Sequence, residues 1–549
     1  MSYQRGPNDL SNSGSYERFR ELLMVCLRRC YNAMDAFIQK YHQDVTGVLS
    51  GWDRVWMRGM QRILANVGGM MSYLSHVGVL MKDFGAFVER TCLQVRQASE
   101  QAARRLDRPV QYLFSSALDK YQEAQNLARR DQVKEGLVCV FSCVEPCLAY
   151  QVRPDRSTKM ISLVMAPRKC VHLYHYWMHK DFGLMHARLQ TWFPFTLEIC
   201  FNGRSWLARQ MDQQGLGYRQ RDNCFTWLED ISASQKLLEQ LRRFRWPAFL
   251  QSLAEQVHPL QKDILQGFRT EYYWSMTESE WATDVMFDSA KALARVYPSL
   301  VEGAMTTFSS RDVMRYLGKK PSGPFKGEVV SSYLHRPEGV RVKHSVQSNS
   351  VKMHDKQGNV LRIETTMNDP YRFKAYRPKE SDPKGARQWR YLRKGVADAQ
   401  RRAEICQGVN DRYLEALASL DSAVPIKQLV ASVCRPTRWK GRNIRALRPW
   451  SEVDQELLTV ISRGEYVLQG FRNRDLVAHL YPKACGDLEE RRRVSARVTR
   501  LLRLLRAHGL VRNITGTHHY RLTPKGRRIA TAVLRYQSAT LQQLSKIPA

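Results

Sequence analysis

Between Val340 and Thr366 the chain reads VRVKHSVQSNSVKMHDKQGNVLRIETT, three short runs of β character with Asp355 to Asn359 supplying a turn. Side chains alternate across a strand, so Val351 and Met353 share one face, Lys352 and His354 the other, and Arg362 and Glu364 a face of the returning strand. A carboxylate held beside basic groups on a rigid sheet suits a divalent cation or a phosphate. Glu364 is therefore the expected acidic metal ligand, with His354 beside it, and Lys352 and Arg362 would steady a phosphate. The plain alternative is an exposed hairpin with an Arg–Glu cross-strand pair.

Other carboxylates recur at the ends or edges of apolar segments: Asp53, Glu198, Asp222, and Glu278, Glu280, Asp284 and Asp288 in TESEWATDVMFD. A two-metal nuclease or transposase needs two or three carboxylates converging from separate elements, and Asp53, Glu198 and Asp284 are one candidate set. Glu280, Asp284 and Asp288 fall on one face if their segment is helical. Solvated caps and turns are the alternative.

KCVHLYHYWMHKDFGLMHARLQTWFPF holds His172, His175, His179 and His186; a strand would set His172 and His175 on opposite faces, and aromatic packing is expected over metal ligation. Cys139, Cys143 and Cys147 have no matching Cys or His pair at zinc-site spacing and are expected to be core thiols. From Tyr371 to Lys394 nine Lys+Arg stand against two Asp+Glu, interleaved with Tyr371, Phe373, Tyr376, Trp389 and Tyr391. Flat aromatics between cations suit stacking on unpaired bases, with Arg387, Trp389 and Arg390 touching the strand; packing on a neighbouring domain is the alternative.

The pattern K-x-x-D-K at Lys352 followed by R-x-E at Arg362 is similar to a stretch of rolling-circle replication initiators of plasmids and filamentous phages. That resemblance implies acidic metal ligands and a tyrosine that attacks a DNA phosphate, for which Tyr333 is the nearest upstream residue and Tyr371 and Tyr376 lie downstream. The chain departs from the pattern in carrying His354 where those proteins tend to have an aromatic.

The elements that must carry these residues follow from periodicity. Apolar positions from Phe19 to Ile38, including Cys26 and Cys30, trace an amphipathic helix. VTGVLSGWDRVWMRG, from Val45, reads as strand, turn, strand, and helices follow to about Leu127. Ile63 to Met81 has no Asp, Glu, Lys or Arg, but its three glycines and polar residues suit two buried elements broken at Gly68-Gly69 better than a membrane span. Strands dominate from Gly136, helices from Ser205 to Val257, and KKPSGPFKGE, from Lys319, reads as a boundary.

At the C-terminal end, Val494, Val498, Leu501, Leu502 and Leu505 line one face of a helix whose remaining surface carries Arg491, Arg492, Arg493, Arg497, Arg500, Arg503 and Arg506. Gly509 suits its end, Thr515-Gly516-Thr517 a hairpin turn, and Thr523 with Pro524 the start of a further helix. Ser451 and Asn473 are expected caps upstream. This succession, with L-L-R-A-H-G-L-V-R and Y-R-L-T-P-K-G, resembles the winged helix-turn-helix domain of MarR-type bacterial regulators. The resemblance implies a recognition helix in a major groove and a wing around Thr517, His518 and His519, with Arg521 and Lys525 near the phosphates. From Gly486 to Ala549 there are 14 Lys+Arg and 3 Asp+Glu, a balance of +11 that favours phosphate contact over a neutral partner face.

The whole chain of 549 residues carries 86 Lys+Arg and 52 Asp+Glu, a net +34, so several domains share in binding nucleic acid. Twelve cysteines form no secreted framework and MSYQRGPNDL no signal peptide, so a cytoplasmic setting is expected. No phosphate loop, Rossmann fingerprint or kinase set occurs, so no nucleotide cofactor is expected. The chain is similar end to end to a family of bacterial proteins that share segments like FGLMHARLQTWFPF and NGRSWLARQMD, a resemblance that implies no activity.

The expected fold is α+β multidomain: 1–15 disordered, 16–130 mainly helical, 131–318 a mixed α/β body, 328–400 a basic β-hairpin domain, 401–445 a helix and basic linker, and 446–549 a winged helix-turn-helix. The expected function is a DNA-binding protein of mobile-element or plasmid-replication type with metal-dependent strand nicking or transfer, using Mg²⁺ or Mn²⁺. The alternative is a non-catalytic binder, either a transcription regulator or an RNA-binding scaffold. Duplex DNA is favoured over RNA as the partner, no membrane is expected, and an oligomer is compatible with the sequence.

Overall fold

A computed structural model describes residues 36–539, apart from 156, 158–159, 319–326, 338, 380–381, 383–384, 420–424, 464–465, 467–469, 483–487 and 515–517. The amphipathic helix expected up to Ile38 lies largely outside the described residues, with Cys26 and Cys30. Most of KKPSGPFKGE and the Thr515–Thr517 turn also lie outside them.

The chain is mixed α/β. The described residues fold as two compact units, each assembled from separated stretches: one from within 47–286 and 364–406, the other from within 36–46, 287–363 and 407–539. Strands occur in the order β1 (Val45–Gln61), β2 (Val110–Tyr112), β3 (Gly136–Asp155), β4 (Met160–His179), β5 (Gly183–Gln190), β6 (Leu197–Asn202), β7 (Tyr218–Arg221), β8 (Cys224–Leu228) and β9 (Tyr272–Phe287). Then come β10 (Val329–Arg336), β11 (Gly339–Val346), β12 (Asn349–Lys356), β13 (Val360–Met367), β14 (Lys374–Arg377), β15 (Gln388–Tyr391), β16 (Thr437–Trp439), β17 (Arg442–Ile444), β18 (Val511–Asn513) and β19 (Tyr520–Leu522).

In the first unit the sheet order is β9-β1-β6-β5-β4-β3-β2, with the end of β13 next to β9. β1 and β6 are antiparallel with Arg54 opposite Asn202, and β3 and β4 form a long ladder from Gly136 opposite Met178 to Asp155 opposite Met160. β1 is one 17-residue strand, not the expected strand, turn, strand. Gly51 makes room rather than a turn, since a Cβ there would come within 2.9 Å of the Leu238 side chain. The TESEWATDVMFD segment is likewise β9, not a helix. From Ser279 onward every residue of β9 is buried, so both faces carry the pattern and its period does not separate helix from strand. The stretch expected to be helical from Ser205 is interrupted by the β7–β8 hairpin. Ile63 to Met81 contains the helix Val67–His76, capped by Asn66; among the described residues no helix is long and apolar enough to cross a membrane.

In the second unit β10, β11, β12 and β13 are successive neighbours, with Tyr333 opposite Val342 and Lys343 opposite Lys352. A separate core gathers Val430, Leu457, Leu476, Val498, Leu502, Leu505, Leu522 and Val533 from the helices Ile426–Ala431, Glu452–Ile461, Asn473–Leu480, Leu488–Ala507 and Pro524–Ser538 and from β19. Ser451 caps its helix and Thr523 caps the last, accepting from the Gly526 N–H. Asn473 is the first helical residue rather than the cap; its side chain donates to the Ser495 carbonyl and the Thr499 hydroxyl at 2.9 Å each.

Candidate functional site

Three strands of the first unit bring one carboxylate each to a common point. Asp53 on β1, Glu280 on β9 and Glu364 on β13 have ligand oxygens that all lie within 4.8 Å of one another. The residues are 1%, 6% and 5% exposed. An ionised carboxylate only accepts, so three that converge from separate strands form an oxygen donor set suited to a hard divalent cation.

The surroundings orient these acids. Asn223 Nδ2 donates to Asp53 Oδ2 at 2.8 Å, and Asn202 Nδ2 to Oδ1 at 3.3 Å. Asn202 is also the N-cap of the helix Gly203–Gln214, its Oδ1 accepting from the N–H groups of Arg204 and Ser205. That helix starts hard against β1, because a Cβ on Gly203 would meet the Trp52 carbonyl oxygen at 2.1 Å. Arg54 Nη2 lies 3.2 Å from Glu280 and 3.6 Å from Glu278, with its side chain 49% exposed. Buried Arg402 donates to the Met276 carbonyl on β9 at 2.6 Å and to the Met367 carbonyl on β13, fixing the two strands near their acids. Loss of hydration pulls its guanidinium down to about 10.

Of the carboxylate set Asp53, Glu198 and Asp284, only Asp53 belongs to this cluster. Glu198 pairs with Arg188 at 2.8 Å and Arg58 at 3.5 Å, and Asp284 with the fully buried Arg204 at 2.9 Å. Glu364 is in the cluster as expected of a ligand, while His354 is not a member of it. His354 and Arg362 are buried and Lys352 half-buried, so their hairpin is not an exposed one. Glu278, Glu280 and Asp284 share strand parity, a relation a helical reading of the segment conceals. Tyr333 is 41% exposed on β10, with β11 and β12 intervening before β13, about 14 Å at the usual strand spacing.

The basic aromatic segment folds as the β14–β15 hairpin, with Lys374 opposite Tyr391 and Tyr376 opposite Trp389. Tyr371, Trp389 and Tyr391 are exposed and, with Tyr273, Arg390, Arg393 and Lys394, line a groove of about 520 Å³. A neighbouring groove of about 700 Å³ shares Tyr273, Arg390 and Arg393 and adds Arg62 and Lys379. Arg62 stacks over Tyr273 at 4.9 Å. Along β9, Tyr273 is seven residues from Glu280, about 23 Å. Arg387 is exposed on the strand's approach.

On the helix Leu488–Ala507, Arg491, Arg492, Arg493, Arg497 and Arg500 are exposed and Arg503 and Arg506 half-buried. Arg493 pairs with Glu489 at 3.1 Å, and Arg506 stacks over Trp439 at 5.0 Å. β18 and β19 pair with Arg512 opposite Arg521; His518 is exposed, and His519, Arg521 and Lys525 are half-buried. His519 accepts from the Arg472 guanidinium.

His172, His175 and His179 lie on β4 and His186 on β5; burial lowers His172 to about 4 and His175 to about 3, leaving both neutral near pH 7. Cys139 and Cys143 are core residues, but Cys147 is half-buried with its Sγ 3.0 Å from that of Cys170. No family model, curated protein or solved structure matches this chain.

Proposed function

We propose that this chain is a DNA-processing protein of mobile-element or plasmid-replication type, which cuts or transfers a strand with a divalent cation held by Asp53, Glu280 and Glu364. The convergence of three buried carboxylates from three strands carries this reading. Mg²⁺ and Mn²⁺ take oxygen ligands, Mg²⁺ at about 2.0–2.1 Å in octahedral geometry, which sets neighbouring ligand oxygens about 3 Å apart. Bound there, the cation would polarise a phosphoryl oxygen and make a bound water more acidic. Asn202 and Asn223 hold Asp53 in orientation. Arg54, half in solvent beside Glu280, would meet the substrate's phosphate.

The groove lined by Tyr273, Trp389 and Arg390 supports a single strand as substrate, with bases on the rings and phosphates on the cations. The C-terminal segment supports duplex anchoring: we read it as a winged helix-turn-helix whose helix Leu488–Ala507 enters a major groove and whose β18–β19 hairpin is the wing. Water is the favoured nucleophile, because Tyr333 stands on β10 rather than on a strand of the cluster.

Supercoiled plasmid and labelled single strands, incubated with the protein and Mg²⁺ or Mn²⁺, test this on denaturing gels with and without protease. The expected outcome is nicking without a protease-sensitive strand. Glu280→Gln and Asp53→Asn should each lower the rate by more than about 100-fold, beyond the cost of losing an outer-shell partner, with affinity retained. Tight, salt-sensitive binding with intact strands would instead support the non-catalytic binder.

A further inference from the structure

A second constellation lies on the β3–β4 ladder. Glu145 on β3 is opposite Cys170 on β4 and Cys143 is opposite His172, so Cys147, two residues beyond Glu145, shares their face of the sheet. The two sulfurs are 3.0 Å apart, and a ring nitrogen of His172 lies within 4.8 Å of both. His172 is 1% exposed. Its Nδ1 is 3.2 Å from the Cys170 carbonyl oxygen, which only accepts, so Nδ1 carries the proton. Nε2 then keeps a bare lone pair and has no hydrogen-bond partner among the described residues. A buried acceptor left in that state is costly, and a metal ion is one group that satisfies it.

We propose that Cys147, Cys170 and His172 bind a zinc ion, with a fourth position open beside half-buried Cys147. Thiolate and imidazole are the donors Zn²⁺ prefers, and a Zn–S length of about 2.3 Å in tetrahedral geometry sets the sulfurs about 3.8 Å apart. The thiols need part by less than about 1 Å to admit it. The nearby cations do not bar entry. Lys120 and Arg188 pair with Glu145 at 3.2 and 2.9 Å, and Arg188 also with Glu198 at 2.8 Å, so both of these cations are held by carboxylates. The donors thus come from adjacent strands, one from β3 and two from C-x-H on β4, which a search for C-x2-C spacing passes over.

The test uses the full chain, reduced with a phosphine and stripped of metal, then titrated with Co²⁺. One equivalent should raise a thiolate-to-cobalt charge-transfer band with the visible bands of a tetrahedral ion, and Zn²⁺ should displace it. Cobalt on the Asp53, Glu280 and Glu364 oxygens gives no thiolate band, so the two sites are read apart. Cys147→Ser with Cys170→Ser should abolish the band; Cys147→Ser alone, at a half-buried position, serves if the double variant fails to fold. Zinc should also protect Cys147 of the unaltered chain from alkylation, read by mass spectrometry. No thiolate band in the reduced chain, a band that survives in Cys147→Ser, or alkylation of Cys147 indifferent to zinc would each overturn the proposal.

Discussion

Asn202 serves two neighbours with one amide, capping a helix through Oδ1 and holding Asp53 through Nδ2. Asn202→Ala should cost about 1 kcal/mol in denaturant unfolding, as the removal of a cap does, and reduce strand cleavage more than stability alone explains. Arg204 and Asp284 are a buried ion pair of a different kind. Arg204→Met removes the cation from a buried ion pair and should destabilise by about 3–5 kcal/mol, read in the same unfolding curves. Asp411 supplies a pH dependence: burial lifts its carboxyl to about 7 despite the hydrogen bond from Gln407. Because the folded value lies above the ordinary carboxylate value, the stability contribution is whole below about pH 4 and is lost as pH rises through 7. Thermal melts at pH 5 and pH 8 should therefore show the protein losing more between the two than Asp411→Asn; equal losses would place the effect elsewhere.

Among the elements, Gly203 sets how closely a helix approaches the strand that carries Asp53. Gly203→Ala puts a methyl into the Trp52 carbonyl and should push the helix from β1, lowering cleavage and melting temperature together; an unchanged rate in the nicking assay would mean that this close approach does not position Asp53. The same scale explains what the sequence made legible. Strong alternation marked β12 and β13 and so Glu364, and the arginine-faced helix and its capping signals gave the C-terminal elements. β9 was hidden because it is buried on both faces, which placed Glu280 on an imagined helix face beside Asp288. Cys147 likewise looked like a core thiol, since its neighbour Cys170 comes from another strand and only the register brings them together. Spacing along a chain reports one element at a time, whereas both constellations are built across several.

The molecule as a whole carries +34, and affinity for DNA should fall steeply with salt. Replacing Arg497 and Arg500 by Ala should weaken duplex binding across sequences and flatten the log–log salt dependence by about 0.9 for each phosphate no longer neutralised. A slope that does not move would place the duplex on another surface. The two units are interleaved along the chain, which passes from one to the other inside β13, between Ile363 and Glu364. During synthesis the nascent polypeptide emerges from its amino end, so Asp53 and Glu280 leave the ribosome long before their third companion. An incomplete product that stops short of residue 364 owns two of the three carboxylates, so the cluster is not assembled until Glu364 has been made.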